Sequence, residues 1–241
     1  MVGERKGSIK RMKIIDKPSP NYNDRGDVKP SILLMHYTGM KTAQEALDRL
    51  TDEASEVSAH YTVDVDGTIY KHVDEDKRAW HAGAGAWRNL TNINSHSIGI
   101  EIVNKGHEFG YEAFPDVQIK AIKGLALEIM ERHDILPENV LAHSDVAPDR
   151  KEDPGELFPW KELATHGIGV WPEVSVEDTV KATGIDVFQA LKDFGYHADD
   201  QQKALFAFQR HFEPEVFVGG HAGEVTSRTK SRLYTLLARY S

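Results

Sequence analysis

His143 stands ten residues before Asp153, and Lys151 lies two positions before that carboxylate. Pro148, Pro154 and Gly155 punctuate the interval, which marks a shaped loop rather than a helix or strand. Imidazole nitrogen and carboxylate oxygen are good ligands for a borderline-soft cation such as zinc. A third ligand is needed, and His36 is the candidate. It follows Ser31-Ile32-Leu33-Leu34-Met35, a continuous apolar run of the kind found in strands buried on both faces. Val140-Leu141-Ala142 delivers His143 in the same way. Two imidazoles and one carboxylate with an open fourth position form an established ligand class for a catalytic zinc. By spacing alone, scattered core histidines remain the alternative.

Hydrolysis at such a centre also requires a base and a donor for the developing oxyanion. Glu101 interrupts Ile98-Gly99-Ile100-Glu101-Ile102-Val103, which otherwise reads as a buried strand. Burying an unpaired carboxylate is expensive, so Glu101 is either paired structurally or held at a shifted pKa for chemistry. It is the candidate general base. Lys151, beside Asp153, is the candidate oxyanion stabiliser. Trp80, His81, Trp87, Arg88 and Asn89 surround a glycine- and alanine-rich stretch. They read either as a loop pinned by aromatic packing or as a groove wall suited to sugars or peptides, and the groove is the expectation adopted.

These residues need elements to hold them. Thr42 and Glu45 have capping-box spacing at the head of a helix to Leu50. Residues 59–65 and 68–73 flank Asp66-Gly67, a strong hairpin signal. His72 is expected on that hairpin's solvent face, while His60 could pack or line a cleft. Residues 116–132 carry an apolar stripe at helical spacing, and another short helix begins near Phe158-Pro159-Trp160. The reading divides the chain into an N-terminal arm (1–29), a catalytic domain (30–166), a linker (167–179) and a small three-helix module (180–241). The module's helices are expected at Val180–Phe194, Asp199–Phe212 and Glu224–Tyr240.

Five motifs, in order, are Leu33 to Thr38, Ser58-Ala59-His60-Tyr61, Arg78 to Gly83, Ser97 to Ile102, and His143-Ser144-Asp145 through Asp153-Pro154-Gly155. Together they resemble the zinc-dependent N-acetylmuramoyl-L-alanine amidases, the family that shares its fold with phage T7 lysozyme and the peptidoglycan recognition proteins. Within it the likeness is to the AmiD and AmpD-homologue branch. The resemblance spans roughly residues 30–165. It implies an α/β fold with a central mixed sheet flanked by helices, and one zinc ion on His36, His143 and Asp153. It further implies Glu101 as general base, Lys151 as stabiliser of the tetrahedral intermediate, and peptidoglycan or muropeptide as substrate. The implied reaction is hydrolysis of the amide between N-acetylmuramic acid and L-alanine. The phage-lysozyme branch has a cysteine as third ligand and a tyrosine just before the histidine equivalent to His60. Asp153 and Ala59 stand in those places here, which leaves the base function to Glu101. The tail, around Ala204 to Phe212, looks like a peptidoglycan-binding-type helical module.

Bulk properties narrow the rivals. A formal net charge of -9 argues against a general nucleic-acid binder. The absence of cysteine excludes a disulfide framework, a thiolate metal site and a cysteine nucleophile. No His-Glu-x-x-His segment is present, so the common zinc-peptidase arrangement is excluded. Hydrolysis of ordinary peptides by another zinc arrangement stays open, and a non-catalytic peptidoglycan binder on the same fold is the other alternative, disfavoured because all three ligands, Glu101 and Lys151 are present. Nothing in the chain marks an obligatory protein partner. No stretch reaches the ~18 apolar residues of a membrane span. The first residues, charged and without an apolar run, lack the form of a secretory leader. The expectation is therefore a cytoplasmic protein as the chain stands, or an envelope protein if a leader precedes it.

Overall fold

Three apolar runs alternate their side chains to both sides of one sheet, and this gives the computed structural model two cores. The structure describes residues 13–240. The basic part of the arm, residues 1–11, lies outside the described residues. The rest of the arm enters the fold as β1 (Ile14–Asp16) and β2 (Tyr22–Asp24). There follow β3 (Ile32–Tyr37), α1 (Ala43–Thr51), β4 (Tyr61–Val63), β5 (Ile69–Lys71) and β6 (Lys77–Ala79). Next come β7 (Ala86–Trp87), β8 (Leu90–Thr91), α2 (Ile93–His96), β9 (Ser97–Ile102), α3 (Gly106–Phe109) and α4 (Asp116–His133). Then β10 (Val140–Ala142), α5 (His143–Val146) and α6 (Trp160–Ala164) complete the sheet-bearing part.

The main sheet has the order β1-β5-β4-β9-β3-β10. Only β4 and β5, the hairpin turned by Asp66-Gly67, are antiparallel; the other pairs run parallel. The sheet is mixed, as expected. On one face Leu33, Met35, Ile98, Ile100 and Ile102 pack against Ile122, Leu125 and Ile129 of α4. Gln118 of α4 is fully buried, and its amide donates to Val63 O at 3.0 Å and Val103 O at 2.9 Å. One side-chain amide thus ties α4 to two backbone carbonyls of the sheet-bearing part.

The opposite face is covered by the C-terminal helices. Here the chain forms α7 (Val176–Lys181), α8 (Val187–Phe194), α9 (Gln201–Phe212), α10 (Glu215–Gly219) and α11 (Ser227–Tyr240). The helix read from Val180 is broken at Ala182–Gly184, after which Asp186 caps α8 by accepting from Phe188 N and Gln189 N. Ile32, Leu34 and Leu141 of the sheet share one apolar cluster with Leu191, Phe194, Leu205, Phe208 and Leu236 of these helices. The sheet is therefore a buried middle layer, which is why its strands lack the polar alternation of a one-sided sheet.

Trp87 lies in this second core and not in a groove wall. It is 2% exposed, with ring centroids 5.7 Å from Phe194 and 5.2 Å from Tyr196. Arg88 donates to Phe194 O and Tyr240 O, and Arg88 N–H donates to Gly195 O. The aromatic and guanidinium groups expected to meet substrate instead seat the C-terminal helices. His72 also departs from expectation. It is buried, within hydrogen-bond distance of Thr62 Oγ1 (2.8 Å) and Lys17 O (2.7 Å), because the arm covers the hairpin face that the isolated hairpin would expose. Trp87→Ala should lower unfolding free energy by about 3–5 kcal/mol, the cost of emptying a large aromatic site. Urea unfolding checks this, and a change below about 1 kcal/mol would show that the two layers are not mechanically joined there.

Candidate active site

Parallel register brings the chemistry-bearing residues to the carboxyl ends of three adjacent strands. His36 of β3 is the direct neighbour of Glu101 on β9, and Ala142 of β10 pairs with Met35. One residue further, the chain turns from β10 into α5 and presents His143 beside His36. Open α/β sheets commonly bind ligands at such carboxyl ends. Asp153 returns to the same point, with Ser144 N–H donating to Asp153 O at 3.0 Å.

Three ligand atoms face one another there. His36 Nδ1 lies 2.9 Å from His143 Nδ1 and 3.1 Å from Asp153 Oδ2, and His143 Nδ1 is 3.0 Å from that oxygen. All three residues are buried, and they form a group able to hold a metal ion. Ligand bonds of 2.0–2.1 Å in a tetrahedral site put neighbouring donors about 3.3 Å apart, so little opening of the cluster is required. The tautomers agree. His143 Nε2 is 3.0 Å from Ala82 O, which can only accept, so the proton sits on Nε2 and Nδ1 keeps its lone pair. His36 Nε2 similarly approaches His81 Nδ1 at 3.0 Å. Both ligand rings are thus oriented through their outer nitrogens, as metal-bound histidines usually are.

Burial and the neighbouring His143 push the His36 pKa down to about 4, so at neutral pH it offers a lone pair. Burial alone would raise Asp153, but the imidazole groups of His143 and His36 beside it hold it well below the ordinary carboxylate range. The donor set includes an uncharged imidazole, His36, and an anionic carboxylate, Asp153. It suits a divalent cation.

Glu101 is pushed the other way. Burial, with the charge of Asp153 added, raises its pKa well above the usual value, while Lys151 opposes the shift. Its Oε2 is buried with no hydrogen-bond partner, as expected of a group that is not simply a structural ion pair. Glu101 and Lys151 line a cavity of about 370 Å³ with His143, Asp153, Trp80 and His81. Arg49 and Arg150 add cations to the same wall. Trp87, Arg88 and Asn89 are not among its lining residues, and Asn89 is exposed on the β7–β8 turn.

Behind the ligands lies a layer that the spacing of residues did not reveal. Gly99 admits His81, since a Cβ at Gly99 would stand 2.4 Å from His81 Nδ1. His60 Nδ1 accepts from Gly99 N–H at 3.0 Å, and its Nε2 lies 3.1 Å from Lys77 O. Arg25, from the arm, is buried beside His60 and donates to Ser95 O and Lys77 O, both at 2.6 Å. Burial and then the Arg25 charge lower the His60 pKa to about 3. Only the short interval between Ser58-Ala59-His60 and Trp80-His81 hinted that the two imidazoles converge.

The family model described as N-acetylmuramoyl-L-alanine amidase matches residues 26–156. The chain belongs to that family. It is 37% identical over 235 residues to the N-acetylmuramoyl-L-alanine amidase AmiD of Escherichia coli, covering 87% of this chain and 83% of that one. A structure of E. coli AmiD, in complex with anhydro-N-acetylmuramic acid-L-Ala-D-gamma-Glu-L-Lys, superposes with a TM-score of 0.75 at 36% identity over 90% of this chain and 91% of that one. The crystal structure of AmpDh3 from Pseudomonas aeruginosa matches with a TM-score of 0.77 at 32% identity, covering 100% of this chain and 99% of that one. The likeness to AmpDh3 therefore extends through the C-terminal helices. No helix among the described residues of this amidase is long and apolar enough to cross a membrane.

Two outcomes are expected. His81→Ala should weaken metal retention roughly 10–100-fold in chelator competition, because His36 loses its orienting partner; unchanged affinity would assign His81 to packing alone. The second concerns acid. Burial holds His60 at about 3 and His72 at about 4, both below the unfolded value near 6.5. Below that value the unfolded chain binds protons that the fold excludes, so stability is full above pH ~6.5 and falls as pH drops toward about 4. The two groups together contribute a slope of up to about 2.7 kcal/mol per pH unit in that window. Urea unfolding of metal-free protein at pH 7, 6 and 5 measures it; a flat profile would mean that these histidines take up protons while folded.

Proposed function

We propose that this chain uses one zinc ion to hydrolyse the amide joining the lactyl group of N-acetylmuramic acid to L-alanine in muropeptides. The observation that carries the reading is the convergence of His36 Nδ1, His143 Nδ1 and Asp153 Oδ2 beside a cavity that His143 and Asp153 line together with Glu101, whose Oε2 has no hydrogen-bond partner. A zinc ion on these three ligands supplies Lewis acidity toward the scissile carbonyl and brings the pKa of an attacking water toward ~7.

The chain's own residues do the remainder. Glu101, one strand from His36, takes the proton of the attacking water and delivers it to the departing alanine nitrogen. Its raised pKa suits the first step, since a carboxylate of ordinary pKa is a weak base toward water. Lys151, on the cavity wall, places an ammonium near the oxygen that gains charge in the tetrahedral intermediate. Trp80, with Nε1–H held by Asn23 Oδ1 at 2.6 Å, is a fixed aromatic edge on which a sugar or lactyl group rests. The AmiD structure cited above contains an anhydromuramyl peptide, which supports this substrate class.

Product mass spectrometry from soluble muropeptides and from purified cell wall, with added zinc and with a chelator, tests the reading. Free stem peptide beginning at L-alanine is expected only where zinc is present; cleavage elsewhere in the peptide would sink it. Glu101→Gln should retain zinc and lose at least about 10³-fold in kcat. Lys151→Ala should lose about 10²–10³-fold in kcat. Undiminished turnover in either variant would remove that residue from its role.

A further inference from the structure

Tethers run from the C-terminal helices to the segment that carries His143 and Asp153. The innermost is Asp145, fully buried and two residues after His143. Its Oδ1 accepts from Tyr196 OH at 2.7 Å. Its Oδ2 lies 2.7 Å from His211 Nδ1 and accepts from Ala142 N–H, also at 2.7 Å. Ala142 is the last residue of β10, and α5 begins at His143, so the carboxylate of Asp145 closes the first turn back onto the strand end. Trp160 stacks on His211 with centroids 3.9 Å apart at 21°, which fixes the plane of the imidazole.

Two more tethers act on the rest of the loop. Asp149 accepts from Asp199 N–H at 2.9 Å and Asp200 N–H at 3.1 Å. Arg210 of α9 donates to Glu152 at 3.0 Å and faces Glu156 at 3.5 Å, the two acids that bracket Asp153. The loop is thus held from the helical layer at its start, its middle and its end.

We infer that the C-terminal layer supports the metal centre, with Tyr196 and His211 as positioning residues that act on His143 through Asp145. A buried carboxylate that loses one of its donors is left with an unpaired acceptor and re-aims toward water. Its bond to Ala142 N–H then loosens, and with it the point at which β10 turns to present His143. The layer that covers the sheet's second face therefore sets ligand geometry as well as stability. This inference rests on the metal site proposed above and gives the C-terminal helices a function beyond the peptidoglycan-binding likeness of their sequence.

Full-length Tyr196→Phe, His211→Phe and His211→Asn test it by zinc affinity in chelator competition, by the visible spectrum of the cobalt-substituted protein, and by kcat and KM. Tyr196→Phe and His211→Phe should each weaken zinc by about 10-fold. Both should shift the cobalt bands and lower kcat, with KM within about twofold of wild type. His211→Asn, whose amide N–H can replace Nδ1–H, should recover zinc affinity to within about threefold of wild type. A lowered melting temperature with zinc affinity, cobalt spectrum and kcat all as in wild type would overturn the inference and leave the layer a stabiliser only. Should His211→Phe fail to fold, Tyr196→Phe decides, since it removes one hydroxyl and keeps the ring. Wild type that binds zinc without cleaving the lactyl amide would refute the activity reading alone, because the affinity series still judges the tethers; wild type that binds no zinc would refute both.

Discussion

The parallel register of β3 against β9 and β10 is the constraint from which the site follows. It makes His36 the neighbour of Glu101 and aligns Ala142 with Met35, so that His143 emerges beside His36. A one-residue slip would exchange the two faces of a strand and carry His36, Glu101 or His143 to the opposite side of the sheet. Such a slip would also move Leu33, Met35, Ile98 and Ile100 out of the α4 core. The apolar packing that stabilises the sheet and the convergence of ligands are therefore enforced by the same pairing.

Around that register the protein balances opposite demands on ionisable groups. His36 and His60 are kept neutral by burial, with the Arg25 charge added at His60, Asp153 is held low by the imidazoles beside it, and Glu101 is pushed toward its protonated form. Each shift follows from position in the layers. Asp153 Oδ2 faces two imidazoles, whereas the Glu101 Oε2 has no hydrogen-bond partner. Two carboxylates in one cavity thereby acquire different character, one fit to hold a cation and the other to carry a proton.

Much of the site was legible because it is written in short local signals. Apolar runs ending in His36 and His143, a carboxylate inside a strand, and a proline-glycine loop around Asp153 each carry their meaning within a few residues. The hairpin at Asp66-Gly67 and the long helix α4 were legible for the same reason. Trp87, Arg88 and His72 were not. An aromatic next to an arginine has the same composition in a sugar groove as in a packed interface, and only the approach of Phe194, Tyr196 and the arm distinguishes the two. Tyr196 and His211 left no such local signal, since their shared partner Asp145 lies more than fifty positions away along the chain.

The sequence by itself determined which groups could bind a cation, which could carry a proton, and that buried strands deliver them. Those properties are set by residue type and by neighbours in the chain. The tertiary structure decided that three lone pairs meet at one point, that His81 and Ala82 O orient the rings, and that the C-terminal helices hold the loop between His143 and Asp153. These are consequences of strand order and of one layer packing on another. The pairing of surfaces distant in the chain depends on the shape of the whole fold, which no local pattern encodes.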